Sequence, residues 1–241
     1  MTDIRSQPVE YSDGEETFEG YVSHDAAGMG KRPAILIAHD WSGLHDPSRA
    51  RSARLAEMGY VGFAIDAYGK GRRGTPGADN SALIGPLLGD RAKLRRRLVA
   101  ALAACRGHEA VDPERIAIIG YCFGGLCALD LARANGEGLR GAVSFHGLYS
   151  APGLGPQPPI RTKILVCHGW DDPHTPPADT IALANELTAA KADWQLHAYG
   201  HTLHAFTTVG ANMPAAGAKY DQTADRRSFA AMKYFLEEAF A

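Results

Sequence analysis

The sequence predicts a doubly wound α/β domain, and three observations carry that expectation. Six short apolar runs recur along the chain, most are too continuously apolar for strands with one wet face, and segments of helical period separate them. At 241 residues, 45% of them hydrophobic, the chain can bury one sizeable core, so we expect a single domain over 1–241, with N-terminal strands in 1–32 and the α/β body in 33–241.

The elements follow in order. Residues 9–11 and 17–24 read as antiparallel strands joined through the turn Asp13-Gly14. The run 33–39 leads to a helix capped by Asp46, opened by Pro47 and ended near Gly59. After the run 61–67 comes a Gly- and Pro-rich loop, 68–89, placed to frame a cleft together with a second such loop at 150–159. Leu94, Leu98, Ala101, Leu102 and Cys105 then share one helical face, while Arg95, Arg96 and Arg97 lie off it and are expected in solvent. The run 115–121 passes at once into another helix after Cys122. Runs at 141–147, 163–169 and 194–200 complete the sheet, and Phe229, Met232, Leu236 and Phe240 mark a closing helix.

Composition narrows the function. A formal net charge of −2 offers no broad basic surface for a nucleic-acid backbone, so no nucleic-acid partner is expected. The N-terminus lacks the pattern of a secretory signal and no apolar stretch is long enough to span a bilayer, which predicts a cytoplasmic protein with no membrane partner. Four dispersed cysteines form no CxxC pair, so neither a disulfide framework nor a structural zinc is expected. Cys105, Cys127 and Cys167 read as buried apolar filler.

Ligands of doubly wound sheets bind beyond the carboxyl ends of the strands, so chemistry belongs just after the apolar runs. Cys122 occupies such a place, at the centre of Gly120-Tyr-Cys-Phe-Gly124. A strand that turns into a helix within one residue strains that residue and exposes its side chain, and the helix N-terminus favours a thiolate. A thiol nucleophile needs an imidazole to move its proton and a carboxylate to orient the imidazole. Asp171 and Asp172 follow the run 163–169, and His201 and His204 follow 194–200, so both requirements are met in the chain order nucleophile, acid, histidine. A metal site built from these acids and histidines with His174 lacks ligand spacing and is the weaker reading. His39, His146 and His168 also close strands and read as hydrogen-bonded packing residues.

The motifs GYCFGG, HGWDDPHTP and YGHTLHAF resemble the nucleophile, acid and histidine loops of the dienelactone hydrolases, cysteine-dependent members of the α/β-hydrolase superfamily. The resemblance runs from about Pro33 to the C-terminus. It implies an α/β-hydrolase fold, a mostly parallel central sheet flanked by helices on both faces, with Cys122 as nucleophile, His204 as base and acid, and Asp172 as orienting carboxylate. His201 is the reserve histidine. The Trp41 and Phe123 amides would form the oxyanion hole, and no metal or organic cofactor is implied. Two positions depart from the family. Asp40 stands where a glutamate meets the resting thiol, and Thr208 stands where an arginine pairs with the substrate carboxylate. Arg72, Arg73 and Arg91 are the alternative anion contacts. The expected activity is hydrolysis of a small ester or lactone by a monomer or small homo-oligomer; acyl transfer, thioester hydrolysis and redox sensing through the elbow thiol are the alternatives.

Overall fold

The computed structural model describes residues 2–241 and contains one large mixed sheet. Its order begins with β1 (Ile4–Ser12), β2 (Thr17–Asp25), β4 (Val61–Ala64) and β3 (Arg32–Ala38), and continues through β5 (Val111–Tyr121), β6 (Leu139–Phe145), β7 (Lys163–Gly169) and β8 (Trp194–Tyr199). From β4 to β8 all neighbours are parallel, whereas β1–β2 and β2–β4 are antiparallel. Burial on both faces explains the continuous apolar runs. Along β5, Ile116 and Ile118 enter one core, while Ala117 and Ile119 enter the other. The first core is closed by α2 (Ser81–Gly89), α3 (Arg91–Gly107), α4 (Phe123–Arg133) and α5 (Pro177–Ala189), the second by α1 (Asp46–Glu57) and α6 (Gln222–Phe240).

This topology places a crevice. From β3 the chain moves to β4 on one side and then returns past β3 to β5 on the other. The loops leaving β3 and β5 therefore part at the carboxyl edge of the sheet, where α/β folds bind ligands. Among the described residues, no helix is long and apolar enough to cross a membrane.

Several elements differ from the sequence expectation. His45 rather than Asp46 holds the cap position of α1, because Asp46 already has helical geometry and adds its charge to the first turn. Within the expected loop 68–89 lies α2, which carries Pro86 inside it. The arginine cluster is not a solvated face: Arg97 is buried, bonds the carbonyls of Ala67 and Tyr68, and pairs with Glu16 at 2.6 Å, while Arg96 pairs with Asp13 at 3.0 Å.

Arg91 also lies inside the fold and not in the crevice. It grips Asp130 through two nitrogens at 2.8 and 2.6 Å and reaches the carbonyl of Ser150 at 3.1 Å. Without Arg91 the buried Asp130 keeps Arg133, at 3.1 Å, as its one cationic partner among the described residues. We expect Arg91→Met to lower stability in urea by about 3 kcal/mol, with little change in KM for an ester, whereas a site residue would shift KM and leave stability alone.

Candidate active site

β5 ends at Tyr121 and α4 begins at Phe123, so Cys122 alone makes the turn from strand to helix. It sits at φ 56° and ψ −117°, a conformation that costs an L-residue roughly 1–3 kcal/mol. Close backbone packing holds it there. A Cβ on Gly120 would lie 1.8 Å from the Gly124 carbonyl oxygen, and one on Gly124 would lie 2.2 Å from the Ala38 carbonyl oxygen of β3. The Cys122 thiol is half-buried, while Cys105, Cys127 and Cys167 are buried and burial pushes all three of those thiols upward, Cys167 to about 12.

The loops after β7 and β8 bring the other groups to this elbow. Asp172 is buried, and its Oδ2 lies 2.7 Å from His204 Nδ1 while its Oδ1 accepts the His174 amide at 2.8 Å. The Cys122 thiol lies near enough to the His204 ring to act on its charge. Asp171 and His201 face outward, 3.9 Å apart on the exposed surface, so the buried pair is Asp172 and His204. A short hairpin, β9 (Asn212–Met213) with β10 (Ala218–Lys219), anchors the histidine loop: the His204 amide donates to Gly217 O and its carbonyl accepts from Lys219 N, both at 2.9 Å.

Burial opposes a charge on His204, yet its hydrogen bond to Asp172 and the neighbouring Cys122 sulfur outweigh that cost and raise its pKa from 6.5 to about 10. A group whose folded pKa exceeds its unfolded one stabilises the fold through its protonated form. That contribution is whole below pH 6.5 and fades as pH rises through about 10. The wild type is therefore expected to lose melting temperature relative to His204→Gln across this range in parallel thermal scans; a constant gap would contradict it.

Trp41 lies on the loop after β3, and the Phe123 amide is among the leading N–H groups that a helix leaves unpaired. Tyr68 joins the two. Its hydroxyl donates to the Trp41 carbonyl at 2.8 Å, and its ring stacks on Phe123 with centroids 5.9 Å apart. Sequence reasoning missed Tyr68, whose only local signal is its place directly after an apolar run. His146 is the hydrogen-bonded packing residue the sequence suggests, and it also reaches the site. It is buried at φ 38°, bonds Thr207 Oγ1 through Nε2 at 2.8 Å, and sets its ring edge against His204 at 5.0 Å.

The expected electrostatic contacts are arranged otherwise. Asp40 turns its Oδ1 into its own loop, accepting the Ser42 amide at 2.8 Å and the Ser42 hydroxyl at 2.5 Å, the local closure an Asx turn provides. Arg72 pairs with Glu16 at 3.4 Å and Arg73 with Asp66 at 3.3 Å, so both, like Arg91, are met by carboxylates of the protein. Thr208 is exposed, with its amide bonded to Ala205 O.

Strand order, the strand-to-helix elbow and the sequence of cysteine, aspartate and histidine loops together make this chain an α/β-hydrolase. A family model described as the dienelactone hydrolase family matches residues 18–240. The chain belongs to that family. An uncharacterized protein of Caenorhabditis elegans is 37% identical over 151 residues, covering 62% of this chain and 96% of that one. A protein of Synechocystis sp. named as a carboxymethylenebutenolidase is 26% identical over 85% of this chain and 87% of its own. The solved structure of a dienelactone hydrolase-like promiscuous phosphotriesterase from metagenomic libraries is 35% identical, covers 99% of both chains and superposes with a TM-score of 0.91.

Proposed function

We propose that this protein hydrolyses small carboxylic esters or lactones through Cys122, His204 and Asp172. The observation that carries the reading is the buried Asp172–His204 hydrogen bond of 2.7 Å, set beside the thiol on the strained elbow. His204 takes the thiol proton, and the sulfur attacks the ester carbonyl carbon. The oxyanion forms against the Phe123 and Trp41 amides. When the tetrahedral intermediate collapses, the C–O bond breaks and the alkoxide leaves with the proton from His204. A water then gives its proton to His204 and attacks the thioester carbonyl, releasing the acid and returning the thiol. Asp172 holds the imidazole tautomer throughout.

The name of the Synechocystis relative supports an ester bond as the target, since a butenolide is a cyclic ester. The arginines favour an uncharged substrate. Thr208 stands in the family's arginine position, and Arg72, Arg73 and Arg91 each face a protein carboxylate, so none of these positions offers a free guanidinium for a substrate acid. Mass-spectrometric trapping tests both points: a neutral aryl ester or lactone is expected to leave its acyl group on Cys122, and a carboxylate-bearing analogue to acylate it more slowly. Acylation at another residue, or none, would overturn the mechanism, and faster reaction of the acid would overturn the specificity.

A further inference from the structure

On the face of the sheet covered by α1 and α6 lies a second cavity, about 200 Å³ in volume, whose walls include none of the three triad side chains. Much of its lining is apolar, from Leu55, Ile119, Phe229 and Met232, but two guanidiniums also enter it. Arg51 and Arg54 stand one turn apart on α1. Arg51 lies over the Tyr121 ring and Arg54 over the Phe229 ring, each 3.9 Å from the centroid.

These two arginines differ from those that brace the fold. Arg91, Arg97 and Arg133 are met by Asp130, Glu16 and Glu186, whereas neither Arg51 nor Arg54 forms a salt bridge among the described residues. Asp225, the acid in the wall, is bonded instead by the Tyr220 hydroxyl at 3.2 Å. Two cations against one carboxylate leave a single excess positive charge at a recess of mixed lining, with Arg54 on its exposed side. Packing over aromatic rings also restrains both guanidiniums, and no carboxylate among the described residues forms a salt bridge with either.

We propose that this cavity is a binding site for a small monocarboxylate with an aromatic or branched apolar body, held by Arg51 and Arg54. One negative charge balances the recess, and the apolar walls remove the body from water. The site adjoins the elbow from behind. Tyr121 precedes Cys122 and stacks on Phe145 at 4.8 Å, and Thr207, another lining residue, holds His146 against the His204 ring. Occupancy thus bears on the residues that support both thiol and imidazole, and a carboxylate is the class of product that ester hydrolysis releases. The binding claim stands apart from the catalytic reading; only that last connection rests on it.

Benzoate is the probe, titrated calorimetrically into the full chain. We expect saturable binding at one site, weakened at least about tenfold in Arg51→Gln/Arg54→Gln, with no binding of neutral benzamide. Val209→Glu provides a second variant, because Val209 is 79% exposed on the cavity rim and tolerates a polar side chain; its carboxylate should repel benzoate by a similar factor without lowering the melting temperature. Absence of saturable binding, or equal affinity of the wild type and Val209→Glu, would overturn the site. Turnover of an aryl ester by the same variants is a separate measurement, so a failure of catalysis and a failure of this site are told apart.

Discussion

Cys122→Ala is expected to lower kcat/KM for a neutral aryl ester by on the order of 10⁴-fold, because in the proposed mechanism its sulfur forms the acyl bond. The geometry makes the prediction selective. Cys122 is the half-buried thiol and the one beside His204, while Cys127 lies wholly inside the core with its thiol pushed well upward by burial. Cys127→Ala should therefore cost stability through a small cavity and leave turnover within a few-fold. His204→Ala should match Cys122→Ala in size, and the double variant should be no slower than either single one, since groups that act on one proton transfer fail together. Additive losses in the double variant would mean that thiol and imidazole serve separate steps, and near wild-type turnover by Cys122→Ala would remove the nucleophile altogether. A redox-sensing thiol predicts yet another pattern: peroxide would join Cys122 to Cys127 five residues on, but Cys127 is buried among the residues that α4 turns into the core.

The parts of this molecule that could be read from sequence are those whose cause is local. β3, β5, β6 and β7 are continuous apolar runs because both faces are covered, and the elbow is legible because Gly120 and Gly124 flank its cysteine. Asp40 was legible in principle too, since an aspartate two residues before a serine is a turn former, and its oxygen closes that turn rather than facing the thiol. Choosing Asp172 over Asp171 and His204 over His201 took the resemblance, and the burial of one pair beside the exposure of the other is what the fold adds.

What could not be read depends on partners far along the chain. Arg97 stands three residues after Leu94 and one before Leu98, an inward position by helical period, yet its charge argued for solvent until Glu16 and two carbonyls after β4 came to meet it. α5 carries Thr180, Leu183 and Leu187 at helical spacing behind Pro177, a pattern present but diluted by small polar residues. Pro86 hid α2 in the same way. Tyr68, His146 and Thr207 owe their roles entirely to tertiary contacts, so no spacing rule announces them.

Gly124→Ala is expected to abolish the folded protein or cost more than about 4 kcal/mol, although alanine is the better helix former by about 1 kcal/mol. Gly124 lies in the first turn of α4, where a Cβ would sit 2.2 Å from the Ala38 carbonyl oxygen and 2.7 Å from that of His39. Both are backbone atoms at the end of β3, so no side chain can swing aside. Either β3 moves away from α4, breaking its ladder with β5 from Ala34 to Ala38, or α4 lifts and carries the Phe123 amide and Cys122 away from His204. Gly107→Ala supplies the contrast. That glycine is also helical, at the end of α3, but nothing lies within 4 Å of the added methyl, so it should stabilise by about 0.5 kcal/mol. The two glycines differ chiefly in what surrounds them, and thermal melts of the two variants should therefore move in opposite directions. If Gly124→Ala melted like the wild type and kept its turnover, the backbone contact between α4 and β3 would not be what holds Cys122 at positive φ, and the strain at the elbow would need another source.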